Sequence, residues 1–420
     1  MIITIQSNYL VFPVYTHATE KNLIFQCEGE TVYQLNLKLD NVSPDFYAYI
    51  DVSRFMGKEI EFFIEPEMEI SFRETDEMDI VNLYREANRP QVHFTVKNGF
   101  LICPKDIVYT NGVYHLFYFC NPADNKGCYA HLGHATSKDL IHWTEEKNAA
   151  FPDENGILYG ENVIKAYGGS KCTEIFALLD SEGNQKWILM DESGKYWVGK
   201  TENEKFIAEQ PEQILRYENK TCGKTVSIAD GRVIRMDCTD WEAPRFPFCG
   251  QMGIATELSL KKENDTYYVQ VLPIKELSSL YKNTNHFEDV KIEKTVKIPL
   301  ADAAHLLKLK GKFDENSILD MILFGRKLRI DFSKNQIAVG GASAPVSLTK
   351  KDLDLTILID RCGIEVFADS GKICLSCLTK ETMMDRNLLN LILTCNQEYM
   401  IDLLEFHALE PIWQSYPEKN

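Results

Sequence analysis

The chain contains no run of the roughly 18 apolar residues that a membrane-crossing helix requires, so no helical span is expected. Basic residues are in deficit: 45 Lys and Arg against 62 Asp and Glu leave a formal charge of −17. Phosphate backbones are held by clustered cations, which excludes nucleic acid as a partner and leaves room for an uncharged ligand. Met1 to Asn8 lacks the basic region and apolar core of a signal peptide. Either the protein stays in the cytoplasm or a leader has been removed, and the sequence leaves the compartment and the oligomeric state open. The 12 cysteines are scattered from Cys27 to Cys395 without the dense spacing of a disulfide scaffold. Cys374 and Cys377 form one C-x-x-C, with neither a second pair nor a nearby histidine to complete a zinc site. Buried, unreactive thiols are expected, and neither a metal nor a cofactor. Amphipathic helical patterns are scarce and short, over 78–86 and 274–281.

What the chain has in abundance is alternation. Tyr33, Leu35, Leu37 and Leu39 fall on one face, with Gln34, Asn36 and Lys38 on the other. Ile60, Phe62 and Ile64 repeat the pattern, as do Leu353, Leu355, Ile357 and Ile359. Period-two patterning predicts half-buried strands, so the fold class is all-β. Three units are expected. Residues 1–85 form a small β domain ending in a polar, acidic stretch. Residues 86–283 carry short strands punctuated by Asn111-Gly112, Glu182-Gly183-Asn184 and Asp230-Gly231, a spacing suited to propeller blades. Residues 284–420 have longer alternating strands that suit a β-sandwich.

Between Arg89 and Trp143 the sequence reads R-P-Q-V-H-F-T-V-K-N-G-F-L-I-C-P-K-D, then H-L-F-Y, then L-G-H-A-T-S-K-D-L-I-H-W. Gln251-Met-Gly-Ile-Ala-Thr-Glu257-Leu258 and Leu358-Ile-Asp-Arg-Cys-Gly-Ile-Glu-Val-Phe367 follow downstream. Together these resemble the first blade, the last blade and the C-terminal sandwich of glycoside hydrolase family 32, the β-fructosidases (invertases, levanases and inulinases). The resemblance implies a five-bladed propeller followed by a sandwich, and secretion or a periplasmic home if a leader was present.

It also implies three carboxylates, and none is found in its place. The family nucleophile lies in W-M-N-D-P-N-G; the aligned residues run from Phe100 to Asp106 and put Cys103 at that position. The acid/base lies in E-C-P-D, whose counterpart Lys171-Cys-Thr-Glu174 puts a lysine there, a group with no acceptor and poorly matched to general acid work near neutral pH. The third belongs to an R-D-P motif. Leu158-Tyr-Gly-Glu161-Asn-Val-Ile resembles the family's S-G-S segment and Lys171 follows within a few residues, so the R-D-P motif and part of the ring are missing. At about 40–45 residues per blade, residues 86–283 have room for four blades at most, and three are legible.

Retaining and inverting glycosidases alike need two carboxyl groups. The expected protein is therefore a family-32-like β protein without β-fructosidase activity that binds a fructan or another carbohydrate. Phe100, Asp106, His93, Phe119, Trp143 and Glu161 are the candidate sugar contacts. Two other readings stay open. One is an active hydrolase with relocated carboxylates drawn from Asp106, Asp124, Asp153, Glu161, Asp237, Asp240 and Glu242. The other is a structural or interaction protein. His131, His134 and His142 are close in sequence, but strand geometry scatters their directions, so they are expected to be structural.

Overall fold

Alternating apolar residues turn almost every described element into a strand. The computed structural model describes residues 1–79, 84, 86, 88–122, 130–151, 157–158, 161–162, 173–217, 221–228, 230–239, 246–301, 303–346, 352–378 and 389–413. Near the N-terminus, a four-stranded sheet (Ile2–Thr4, Glu59–Glu65, Lys21–Cys27, Glu30–Leu37) packs on a three-stranded one (Phe46–Asp51, Tyr9–Val14, Arg73–Thr75). Tyr33, Leu35, Leu37 and Leu39 face the core between them, as the alternation predicts, together with Ile60 and Phe62.

Three antiparallel sheets follow. The first runs Trp143–Glu145, His131–Ser137, Val113–Asn121, Gly99–Thr110, and is closed by Phe248–Cys249, which pairs parallel to Gly99–Phe100. The second contains Thr173–Leu179, Gln185–Asp191, Lys195–Glu202 and Lys205–Ala208. The third contains Thr221–Ser227, Val233–Thr239, Thr256–Glu263 and Thr266–Pro273. Between the first two lies a two-stranded hairpin, Ile157–Leu158 with Glu161–Asn162. Among the described residues these three sheets are the full-sized blades, and their buried faces share one apolar core. The first strands of the three sheets, Gly99–Thr110, Thr173–Leu179 and Thr221–Ser227, come together at the centre.

The C-terminal part is a sandwich of two six-stranded sheets. Leu353, Leu355, Ile357 and Ile359 all point into its core. Backbone bonds couple it to the blades: Arg216 forms a parallel bridge with Cys374, and the Val271 amide donates to the Gly371 carbonyl at 2.8 Å. The pattern at 274–281 gives a 3-10 turn, Lys275–Leu280, rather than an amphipathic α-helix. Its buried residues are three apart, Ile274, Leu277 and Leu280, which is the repeat of a 3-10 helix. The other short helical pattern, 78–86, falls largely outside the described residues.

Candidate functional site

The strand carrying Cys103 is irregular at that point. Leu101 pairs with Cys120 and Cys103 with Phe119, leaving Ile102 as an extra residue; a second irregularity leaves Lys105 unpaired between Pro104 and Asp106. Two bulges this close re-aim the side chains around them and free backbone groups from the ladder. The Ile102 carbonyl, released in this way, accepts the Cys238 thiol at 3.2 Å.

Cys103 therefore joins a group of three thiols. Cys222 and Cys238 are directly opposed on the first two strands of the third sheet, and their sulfurs lie 2.9 Å apart. The Cys103 thiol is hydrogen-bonded to that of Cys222. This bond, together with burial, raises the Cys103 pKa well above that of a free thiol. Glu192 acts in the same direction on Cys103, and Lys105 opposes it. The Glu192 carboxyl is itself raised by partial burial, with Lys224 pulling the other way.

Glu174, the last residue of the segment aligned with E-C-P-D, starts a run of alternating charges. Its carboxylate accepts the Thr225 amide at 3.1 Å and lies 3.7 Å from Lys224 and 3.5 Å from Arg235. Arg235 donates to Asp237 at 2.8 Å, and Asp237 also receives Arg216 at 3.0 Å. Arg216 approaches Glu365 at 4.0 Å, and Glu365 meets His93 Nε2 at 3.3 Å. The run ends at Asp360, 2.8 Å from His93 Nδ1. It thus passes from the centre of the blades to the sandwich, and each charge has an opposite neighbour, the condition under which buried ions are tolerated. Burial works against charge on His93, yet its bonds to Asp360 and Glu365 outweigh it and raise the pKa to about 10. The Asp360 carboxyl is lowered in spite of burial, because His93 and the Gln91 and Val92 amides all bond its charged form.

The predicted sugar contacts fall in different places. Phe100 and Phe119 are buried beside Cys103 in a small apolar cluster with Ile102, Ala130 and Cys249. Trp143 is buried on the outermost strand of the first sheet and donates to the Leu140 carbonyl at 3.1 Å. His93 is buried in the ionic run described above. Asp106 is exposed, with its carboxylate capping the Ile107 amide at 2.9 Å. Glu161 lies on the short hairpin, its side chain outside the described residues, as are Lys171, Asp124, Asp153, Asp240 and Glu242. Asp237 is held between two arginines. His131 is bonded to Tyr33 and Asn148, His134 to His115 and His142 to Asp139. Sequence reasoning missed Cys222, Cys238, Glu192, Lys224, Arg216 and Arg235. Some of their partners are near in the chain and others, such as Glu174 for Lys224 and Cys103 for Cys222, are far away, and no motif joins them into one site.

Comparison with known proteins agrees with this architecture. The family model "Glycosyl hydrolases family 32 N-terminal domain" matches residues 93–178, and "Glycosyl hydrolases family 32 C terminal" matches residues 322–379. A fructan beta-fructosidase of Streptococcus mutans is 37% identical over 134 residues, which is 30% of this chain and 9% of that protein. The levanbiose-producing levanase of Bacillus subtilis is 22% identical over 68% of this chain and 84% of its own length. The first three curated relatives are matched over only 9%, 13% and 18% of their lengths. Among solved structures, the exo-inulinase of Aspergillus awamori superposes with a TM-score of 0.66 at 14% identity, over 79% of this chain and 100% of the other. A fructofuranosidase of Schwanniomyces occidentalis, complexed with fructosylnystose, gives 0.64 at 13%, over 80% of this chain and 100% of the other. At such identities the structural likeness carries the fold alone: a propeller plus a sandwich. With the N-terminal and C-terminal family models matched in order along one sequence, the chain belongs to glycosyl hydrolase family 32.

Proposed function

We propose that this protein lacks β-fructosidase activity and binds a fructan or related carbohydrate at the centre of its blades. The observation that carries the first half is the state of Cys103. Its thiol is hydrogen-bonded to that of Cys222 and its pKa is raised, which makes it a poor nucleophile for an anomeric carbon. Among the described residues, the carboxylates nearby do not supply the pair that glycoside hydrolysis needs. Glu174 and Asp237 are each engaged by two cations. Glu192 is partly exposed, and burial raises the pKa of its carboxyl.

Carbohydrate binding is supported by family membership and by the polar groups that remain around the centre, Lys105, Glu192 and Lys224. The test has two arms: hydrolysis of sucrose, inulin and levan by the purified protein, and calorimetric titration with the same sugars. Binding without turnover is expected, with Glu192→Gln weakening it. Turnover abolished by replacing any single carboxylate at the centre would refute the proposal and revive the relocated-carboxylate enzyme. Absence of both turnover and binding would favour an interaction protein.

A further inference from the structure

The three central thiols serve no step of the proposed binding function, yet one of them, Cys103, stands where the resemblance to the family places its nucleophile. Cys222 is the shared member, in contact with Cys103 on one side and Cys238 on the other. At 2.9 Å the Cys222 and Cys238 sulfurs are already closer than two non-bonded sulfurs prefer, and the residues are directly paired across neighbouring antiparallel strands. A disulfide needs Cβ atoms about 3.5–4.5 Å apart, and directly opposed residues of an antiparallel pair have Cβ atoms about 4.5–5.5 Å apart. The backbone adjustment required is therefore small. Burial sets the order of events: Cys222 is half-buried as a residue and Cys238 is buried, so Cys222 is the member of the pair that a small molecule reaches first.

We propose that Cys222 and Cys238 are a modification site, a thiol pair that a low-molecular-weight disulfide converts to a cross-strand disulfide while Cys103 stays reduced. In the first step the Cys222 thiolate attacks one sulfur of the small disulfide; a mixed disulfide forms and one small thiolate leaves. In the second, the Cys238 thiolate attacks the Cys222 sulfur, the mixed S–S bond breaks, and the second small thiolate leaves. The protein loses two electrons, the small disulfide gains them, and the two protons from the cysteines end on the two released thiols. Two contacts change as a result. The Ile102 carbonyl loses its thiol donor, and Cys103 loses the Cys222 thiol as a hydrogen-bond partner. The pair thus sets the surroundings of Cys103 without modifying it.

Cys222 and Cys238 are both raised in pKa, so few molecules carry the attacking thiolate near neutral pH and the reaction is slow and base-dependent. Its rate should rise about tenfold per pH unit between pH 7 and pH 8.5, following the thiolate fraction.

The reduced full-length protein would be incubated with oxidised glutathione in native buffer, with circular dichroism confirming that the fold persists. It would then be denatured, alkylated, digested and mapped by mass spectrometry. The expected product is a Cys222–Cys238 peptide pair lighter by two hydrogens, with Cys103 alkylated and with the stated pH dependence. Cys103→Ser should still form the link, while Cys238→Ser should accumulate glutathione on Cys222. Full alkylation of both thiols after oxidation would overturn the inference. So would a Cys103–Cys222 link as the main product, or glutathione persisting on Cys222 when Cys238 is intact. The first mapping uses the unmodified sequence and does not depend on any variant folding.

Discussion

His93 Nδ1 lies 2.8 Å from a carboxylate oxygen of Asp360, a residue 267 positions further along the chain. The same carboxylate accepts the Gln91 amide at 2.8 and 2.9 Å, the Val92 amide at 2.9 Å and the Arg361 amide at 2.6 Å. Two stretches that resemble the family in sequence, one ahead of the first blade and one in the sandwich, therefore meet at this buried carboxylate. Removing one partner of a buried pair leaves the other unpaired, at a cost of about 3–5 kcal/mol. Asp360→Asn should destabilise the protein by roughly that amount, measured as a lowered denaturant midpoint for unfolding of the blades and sandwich. A change below about 1 kcal/mol would mean that water replaces the bond.

Two buried histidines should give stability opposite dependences on pH. His93 has a folded pKa raised to about 10, above the unfolded value near 6.5. Its contribution is complete below pH 6.5 and is lost as pH climbs through 10. His131 is lowered to about 3 by burial and by Arg54. Its contribution is complete above pH 6.5 and is lost as pH falls toward 3. Thermal unfolding from pH 4 to pH 10 should show both losses. His93→Gln should flatten the alkaline limb and His131→Gln the acid limb.

His131 also ties the N-terminal sheets to the first blade through the Tyr33 hydroxyl, 2.7 Å from its Nε2. Tyr33→Phe deletes that bond and should cost about 0.5–1.5 kcal/mol, or more if the ring nitrogen is left unsatisfied. The measurement is chemical denaturation of the variant beside the parent. An unchanged midpoint would make the contact incidental.

Gly223 is required by the charges around it. A Cβ there would lie 2.1 Å from Asp237 Oδ1 and 2.4 Å from the Arg235 guanidinium. Gly223→Ala should therefore disrupt the Arg235–Asp237 pairing and destabilise by about 1–3 kcal/mol, the usual cost of overpacking. Solvent-exchange protection around residues 216–237 should fall in Gly223→Ala, and an unchanged pattern would show that the pair accommodates the methyl group.

Restoring carboxylates should not restore an enzyme. In Cys103→Asp with Lys171→Glu, the new aspartate would face the Cys222 thiol and Glu192, beside Phe100 and Phe119 rather than a polar pocket. Misplaced reacting groups cost about a hundredfold or more in rate. Hydrolysis of sucrose and levan by the double variant should stay at least that far below an ordinary family member, after circular dichroism confirms folding. A rate close to the family's own would refute the reading of a dismantled site.

The strands were legible because burial imposes period two wherever one face is covered, as in Leu353, Leu355, Ile357 and Ile359. The 3-10 turn at Lys275–Leu280 was read as an α-helix because a three-residue repeat looks the same over two short turns. Cys103 stood out because a strong local motif surrounds it. Its partners Cys222 and Cys238 did not, since only the meeting of the first and third sheets brings them together. The ionic run from Glu174 to Asp360 was hidden for the same reason. An aromatic side chain that fills a core and one that lines a cleft are identical in sequence, and only the fold reveals that Phe100, Phe119 and Trp143 are buried.

The parallel pairing of Phe248–Cys249 with Gly99–Phe100 sets a schedule for the protein's birth. Until those later residues emerge from the ribosome, the start of the strand Gly99–Thr110, Gly99 and Phe100, lacks its neighbour on one side. Synthesis runs at about 5–20 residues per second, so the intervening stretch of about 150 residues keeps that edge unprotected for roughly eight to thirty seconds. An uncovered edge recruits other chains. The newborn protein is thus most prone to aggregation after its first blade has formed and before its third is complete, the interval in which a chaperone would matter most.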